Sequence, residues 1–187
     1  MKELSQASKT AIGGMAVALS VVLMLPTAFE IFVYALPAIA GMLTLFCVIE
    51  LGKSWAAGVY AASSAIGLLL IPNKEAVVLY VAFFGYYAIL KAVFESRLPR
   101  AVEYLLKFLV FNASVVAAYA LLVKVFGMPL DQILGIEEDV FWAKYAVPIF
   151  LVMGNVVFIL YDFCLTRIAT AYIKVLQKKF HKFFRFK

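Results

Sequence analysis

The sequence predicts an all-α integral membrane protein of about six spans, with both termini on the cytoplasmic side, and three observations carry that expectation. Hydrophobic residues make up 66% of the chain and charged residues only 15%, whereas a soluble domain is nearer half apolar and a quarter charged. The mean hydropathy is +1.00, which leaves too little polar surface to coat a water-soluble globule. No stretch of about ten residues alternates with period two, which disfavours a β-barrel and leaves helices to satisfy the backbone in lipid. The 187 residues have room for about six spans of roughly 20 residues with short connections. They read as a single transmembrane domain over 1–187 with no ATPase or other extramembrane catalytic unit beside it.

The first span is expected over about 11–25, closed by Pro26 and a turn over 27–30. Lys2 and Lys9 precede it as they would a signal peptide, but Leu23-Met24-Leu25-Pro26-Thr27 offers no small-residue cleavage pattern, so the segment is read as retained. The second, about 31–50, ends at Glu50-Leu51-Gly52-Lys53, and the third, about 54–72, is broken by the turn-forming Pro72-Asn73-Lys74-Glu75. The fourth, about 76–94, leads into Glu95-Ser96-Arg97-Leu98-Pro99-Arg100. The fifth, about 104–127, ends at Gly127-Met128-Pro129. A polar stretch over 131–139 precedes the sixth, about 141–166. Pro37 and Pro148 fall inside spans, where each removes a backbone donor and is expected to kink or break its helix.

Orientation follows from the basic residues. With the N-terminus inside, the cytoplasmic segments hold Lys2, Lys9, Lys53, Lys91, Arg97, Arg100, Lys107 and Arg167, while the outer side keeps Lys74, Lys124 and Lys144. The acidic residues Asp131, Glu137, Glu138 and Asp139 fall outside. The tail over 173–187 mixes Lys174, Lys178, Lys179, Lys182, Arg185 and Lys187 with Phe180, Phe183, Phe184 and Phe186. Such a basic, aromatic, amphipathic tail lies on an anionic inner leaflet, each base adding about 1 kcal/mol near the surface. The formal charge of +6 is therefore a topology signal, not a sign of nucleic-acid binding.

Signs of catalysis are absent, and the chain is not expected to be an enzyme. Cys47 and Cys164 sit in apolar runs as small buried hydrophobes, and His181 stands alone in the basic tail, so neither a disulfide, a metal site nor a cofactor is expected. Gly52-Lys53-Ser54 ends like a phosphate-binding loop, but Cys47 stands where its first glycine belongs.

What remains are polar groups within or beside the spans, which are costly there and usually functional. Asn112 and Asn155 lie about midway along the fifth and sixth spans, and two readings stay open for them: an interhelical hydrogen bond, or a pair of amides lining a ligand pocket. Asp162 and Arg167 are expected to pair with neighbouring helices or head groups. On the outer side, Glu30, Tyr34, Asn73, Lys74, Glu75, Tyr80, Lys124 and Lys144 can reach a shared vestibule. At helical spacing Tyr80, Phe83, Phe84 and Tyr87 share a face that suits a flat organic ligand. Asn112, Asn155, Tyr80, Tyr87 and Glu75 are the substrate-binding candidates. In the first span Ala11, Gly14 and Ala18 make a small-residue groove, either for internal packing or for docking a separate subunit.

These features together resemble the S component, the substrate-binding membrane subunit, of energy-coupling factor (ECF) vitamin transporters, small six-helix proteins without an ATPase of their own. Their first helix carries alanine, three residues, alanine; Gly14 and Ala18 match with glycine in the first place. Ala35-Leu36-Pro37-Ala38-Ile39-Ala40-Gly41 resembles the second helix of riboflavin-type members, and Gly58-Val59-Tyr60-Ala61-Ala62-Ser63-Ser64-Ala65 their third. The likeness covers most of the first three spans, and no motif marks a substrate subtype. It implies a multi-pass subunit of a bacterial or archaeal cell membrane that captures a vitamin or related small molecule from outside. Ala11, Gly14 and Ala18 would then dock on a transmembrane coupling subunit, with two cytoplasmic ATPases driving release. Two other readings compete: a small structural or assembly subunit of a cell-envelope complex, similar to the membrane component of rod-shape machinery, and a lipid-modifying intramembrane enzyme, for which only the loop acids of 131–139 are available.

Overall fold

The computed structural model describes residues 5–128 and 143–177, with side chains from 148 onward in the second stretch. All regular structure among them is helical. Helix α1 (Gln6–Met24) starts at Ser5, whose hydroxyl accepts the Ser8 N–H at 3.1 Å, one of the donors that a helix start leaves open. Pro26 then tightens the chain into a 3₁₀ turn, Leu25–Phe29. Glu30 and Phe32 take positive φ of 58° and 51°, which reverses the chain into α2 (Ala35–Glu50).

The kink expected at Pro37 does not occur there. Because α2 begins at Ala35, Pro37 lies in its first turn, where its missing N–H has no intrahelical partner to lose. Gly52, at φ +92°, permits the sharp corner between α2 and α3 (Lys53–Leu70). Asn73 caps α4 (Lys74–Arg97) by accepting the Ala76 N–H at 3.0 Å. Leu98, extended ahead of Pro99 as pre-proline sterics require, ends α4 and leads into α5 (Arg100–Lys124). The last helix, α6 (Ala143–Ala171), contains Pro148 and runs on through a π-turn, Tyr172–Leu176.

Four segments are long and apolar enough to cross a membrane: Gln6–Phe29, Lys74–Arg97, Arg100–Lys124 and Pro148–Leu176. Ala35–Glu50 is apolar but shorter. Helix α3 is diluted by Lys53, Ser54, Tyr60, Ser63 and Ser64. The acidic stretch 131–139, the side chain of Lys144, His181 and the tail beyond 177 lie outside the described residues.

Helix ends are tied at both faces of the bundle. At the basic end Lys53 Nζ donates to the Ala92 carbonyl at 3.2 Å, and the Tyr172 hydroxyl donates to Glu50 at 3.0 Å. At the opposite end the Tyr34 hydroxyl donates to Glu75 at 2.8 Å. Between them α2 and α4 pack closely. A Cβ on Gly41 would strike the Phe84 carbonyl oxygen and come within 2.8 Å of the Tyr161 hydroxyl. A Cβ on Gly85 would lie 2.6 Å from the Tyr60 ring and 2.9 Å from that of Tyr80. In lipid, where apolar surface gains little by leaving the solvent, such close van der Waals approach is a main source of helix association.

Candidate functional site

Halfway along α4 the turn Tyr80–Phe84 is wound as a π-helix. The Tyr60 hydroxyl reaches into this widened turn and donates to the Val81 carbonyl at 2.7 Å. Single π-turns of this kind are frequently found at functional sites because they redirect side chains out of α-helical register. Here the turn sends Phe83 and Phe84 towards α5 and α6, where they wall a cavity of about 310 Å³. Leu79 belongs to the same wall; Phe111, Val115 and Tyr119 come from α5; and Phe150, Leu151, Met153, Gly154, Val157, Phe158 and Tyr161 come from α6. Tyr34 stands at the rim. The volume falls at the small end of the range for small-molecule pockets, about 300–1,000 Å³.

The rings beneath the cavity interlock. Phe83 meets Phe111 edge-on at 5.2 Å and Phe158 at 5.8 Å, and Phe111 stacks on Phe158 at 4.7 Å with 13° between planes. They form a floor of offset and T-shaped pairs, the arrangements that aromatic quadrupoles favour. At the rim, partial burial and then the carboxylate of Glu75 push the Tyr34 phenol above its ordinary pKa, so it stays the proton donor in that pair. Tyr119 lines the wall with its ring, while its hydroxyl is buried beside that of Tyr34.

Tyr34, Phe83 and Phe84, singled out in the sequence, line the cavity, and of the substrate-binding candidates Glu75 comes near it by its contact with Tyr34. The walls fall elsewhere than on Asn112, Asn155, Tyr80 and Tyr87. Asn112 and Asn155 pair with each other across α5 and α6, 3.0 Å in each direction, which takes up the interhelical alternative. Tyr80 is fully buried, its hydroxyl 2.7 Å from that of Ser63. Tyr87 is equally buried and donates to Asp162 at 2.6 Å. The shared face expected of Tyr80, Phe83, Phe84 and Tyr87 is split by the π-turn, and Phe83 and Phe84 alone line the cavity.

Below the aromatic floor, towards the basic end, lies a cluster of charges. Lys91 meets Glu95 at 2.7 Å and Asp162 at 2.5 Å; Lys107 meets Glu103 at 2.7 Å, Glu95 at 3.0 Å and Asp162 at 3.3 Å. Lys91 is 3% exposed and Lys107 2%, so neither has water to solvate it and each depends on these carboxylates. Asp162 thus pairs with neighbouring helices, as expected, whereas Arg167 lies over the Phe163 ring at 4.7 Å. The cluster escaped the reading of the sequence, although Lys91/Glu95 and Glu103/Lys107 each show opposite charges at i,i+4.

On α1, Ala11, Gly14 and Ala18 all lie on the exposed face, and nothing approaches within 4 Å of a Cβ placed on Gly14. Internal packing uses the opposite face, through Ile12, Gly13, Ala16 and Ser20. The alternative of an internal groove for these three residues therefore does not apply.

Among the described residues no group of three or more His, Cys, Asp or Glu side chains is placed to hold a metal ion. Fold and site together define an all-α, membrane-embedded protein with an apolar cavity between its last helices. Comparison with protein-family models, with curated proteins and with solved structures finds no match.

Proposed function

We propose that the chain is the substrate-binding membrane subunit of an ATP-driven importer of the ECF type, taking up a vitamin-like or related small organic molecule. The observation that carries this reading is the aromatic cavity of about 310 Å³ whose rim is formed by Tyr34, at the end of the bundle opposite the basic one. Basic helix ends favour the cytoplasmic side, so in this reading the rim faces outward. The exposed Ala11, Gly14 and Ala18 on α1 give the docking face that such a subunit needs for its coupling partner.

A structural subunit of a cell-envelope complex would use the same α1 face but has no need of a cavity. Native mass spectrometry of the detergent-purified protein, with extraction of bound small molecules, separates the two. A single bound organic molecule at near one-to-one stoichiometry is expected, and it is lost when Gly154→Leu fills the cavity wall. An apo mass in both proteins, together with a stoichiometric envelope protein, would overturn the importer reading.

A further inference from the structure

The chemistry of the cavity wall says what kind of molecule fits, an inference that rests on the binding reading above. Among the described residues no charged side chain lines it, and the carboxylate of Glu75, beside the rim, is engaged by Tyr34 at 2.8 Å. The neighbouring amides of Asn112 and Asn155 are closed on each other and offer no N–H to a guest. An ionised ligand moved into such a wall would lose its hydration with nothing in return, a cost that excludes phosphates, carboxylates and ammonium groups buried there. The rings of Phe83, Phe111 and Phe158 instead present faces and edges to a planar apolar body.

Tyr119 lines the wall through its ring, and its hydroxyl is buried beside that of Tyr34, so the wall presents no polar atom to a guest. The wall also includes Val157, 58% exposed on the outer surface of α6, so the cavity reaches the lipid-facing side of the bundle as well as the Tyr34 rim. A molecule dissolved in the bilayer therefore has a route to it.

We propose that the cavity takes an uncharged, apolar ring compound, which the rings of α4, α5 and α6 enclose.

The test compares two probes with the same aromatic frame in lipid nanodiscs: neutral N-phenyl-1-naphthylamine and its sulfonated relative 8-anilinonaphthalene-1-sulfonate. Binding is taken as the fluorescence lost in the cavity-filling variants Gly154→Leu and Val157→Phe, each checked for an unchanged unfolding midpoint. A Cβ on Gly154 meets the Phe111 ring at 3.5 Å, ordinary contact, so the backbone tolerates a side chain there. Two variants keep the test sound if one of them misfolds. The neutral probe is expected to saturate one site that both variants weaken at least tenfold, with the sulfonate binding at least tenfold more weakly. 1-Naphthol is expected to bind no more tightly than naphthalene, because no polar atom of the wall meets its hydroxyl.

Equal or tighter variant-sensitive binding of the sulfonate would overturn the uncharged class while leaving the cavity a binding site. A phospholipid retained at one copy and displaced by neither probe would overturn the ring-compound class in favour of an acyl chain. Absence of any variant-sensitive site for either probe would overturn both this inference and the binding function it rests on.

Discussion

The side-chain amides of Asn112 and Asn155 face each other between α5 and α6 and exchange two hydrogen bonds of 3.0 Å each. Each also donates its second N–H one turn back along its own helix, Asn112 to Phe108 at 2.9 Å and Asn155 to Leu151 at 2.8 Å. Every amide donor is thus used, and the pair acts as a clasp holding α6 against α5 beside the cavity. Interhelical hydrogen bonds in membranes average only about 0.6 kcal/mol, because the separated helices also find partners.

From that follows a modest, coupled effect. Asn112→Leu is expected to cost about 1 kcal/mol, since it strands one Asn155 donor. Adding Asn155→Leu should cost less than it does alone, with a coupling of about 0.6 kcal/mol. A double-mutant cycle on unfolding in mixed micelles measures this, and probe binding in the cavity should stay unchanged. Strictly additive losses would mean that the two amides act separately.

The charge cluster calls for a larger effect. Lys107 is 2% exposed and touches Glu95, Glu103 and Asp162. Lys107→Met leaves Glu95 and Asp162 facing Lys91 alone and takes from Glu103 its ion-pair partner, and breaking a buried ion pair from one side costs about 3–5 kcal/mol. Lys53→Met is a fair control, because that residue is exposed and, among the described residues, its ammonium group bonds the Ala92 carbonyl and the Ser96 hydroxyl but no carboxylate. It should cost under about 1 kcal/mol. Pairing Lys107→Met with Asp162→Asn should recover part of the loss. Thermal unfolding of the four proteins in one detergent decides the matter, and equal midpoints for Lys107→Met and Lys53→Met would contradict the assigned role of the cluster.

How much of this was legible in the sequence depends on the physics behind each feature. Hydropathy announced the class, and turn residues such as Pro72, Asn73 and Pro99 marked helix boundaries, because both signals are local. Asn112 and Asn155 stood out as costly polar residues, yet nothing in the sequence said that they were opposite one another. The cavity was invisible for a different reason. Its walls are Phe, Tyr, Leu, Val, Met and Gly, residues that membrane helices carry everywhere, and the π-turn that aims Phe83 and Phe84 has no sequence signature. The charge cluster joins three helices, and only its two i,i+4 pairs lie within single elements.

The glycines give a contrast between packed and open positions. Gly41→Ala drives a methyl into the Phe84 carbonyl and the Tyr161 hydroxyl, against backbone that cannot yield cheaply. Overpacking of this kind costs about 1–3 kcal/mol, and the shift it forces on Phe84 should also weaken binding in the cavity. Gly14→Ala meets open space and should raise stability slightly, by up to about 1 kcal/mol, through helix propensity. Unfolding midpoints report both changes. A Gly41→Ala protein as stable as its parent would show that α2 and α4 do not approach as closely as described.

The proposed docking face yields the sharpest separation between the proposed binding and transport. Ala11, Gly14 and Ala18 lie on the exposed face of α1, while the described residues that line the cavity are Tyr34 and members of helices α4 to α6. A bulky residue on α1 therefore has no steric path to the ligand, but it would hold a partner helix away from a surface whose use depends on small side chains. Gly14→Trp combined with Ala18→Trp should leave folding and probe binding within about twofold of the parent, since distant sites are close to additive. Uptake by cells expressing the complete transporter should fall to background, and a copurifying coupling subunit should be lost. If uptake survives the double tryptophan substitution with the protein in the membrane, α1 is not the docking face. If binding is lost as well, α1 and the cavity are mechanically linked and the two functions are not separable along this division of the fold.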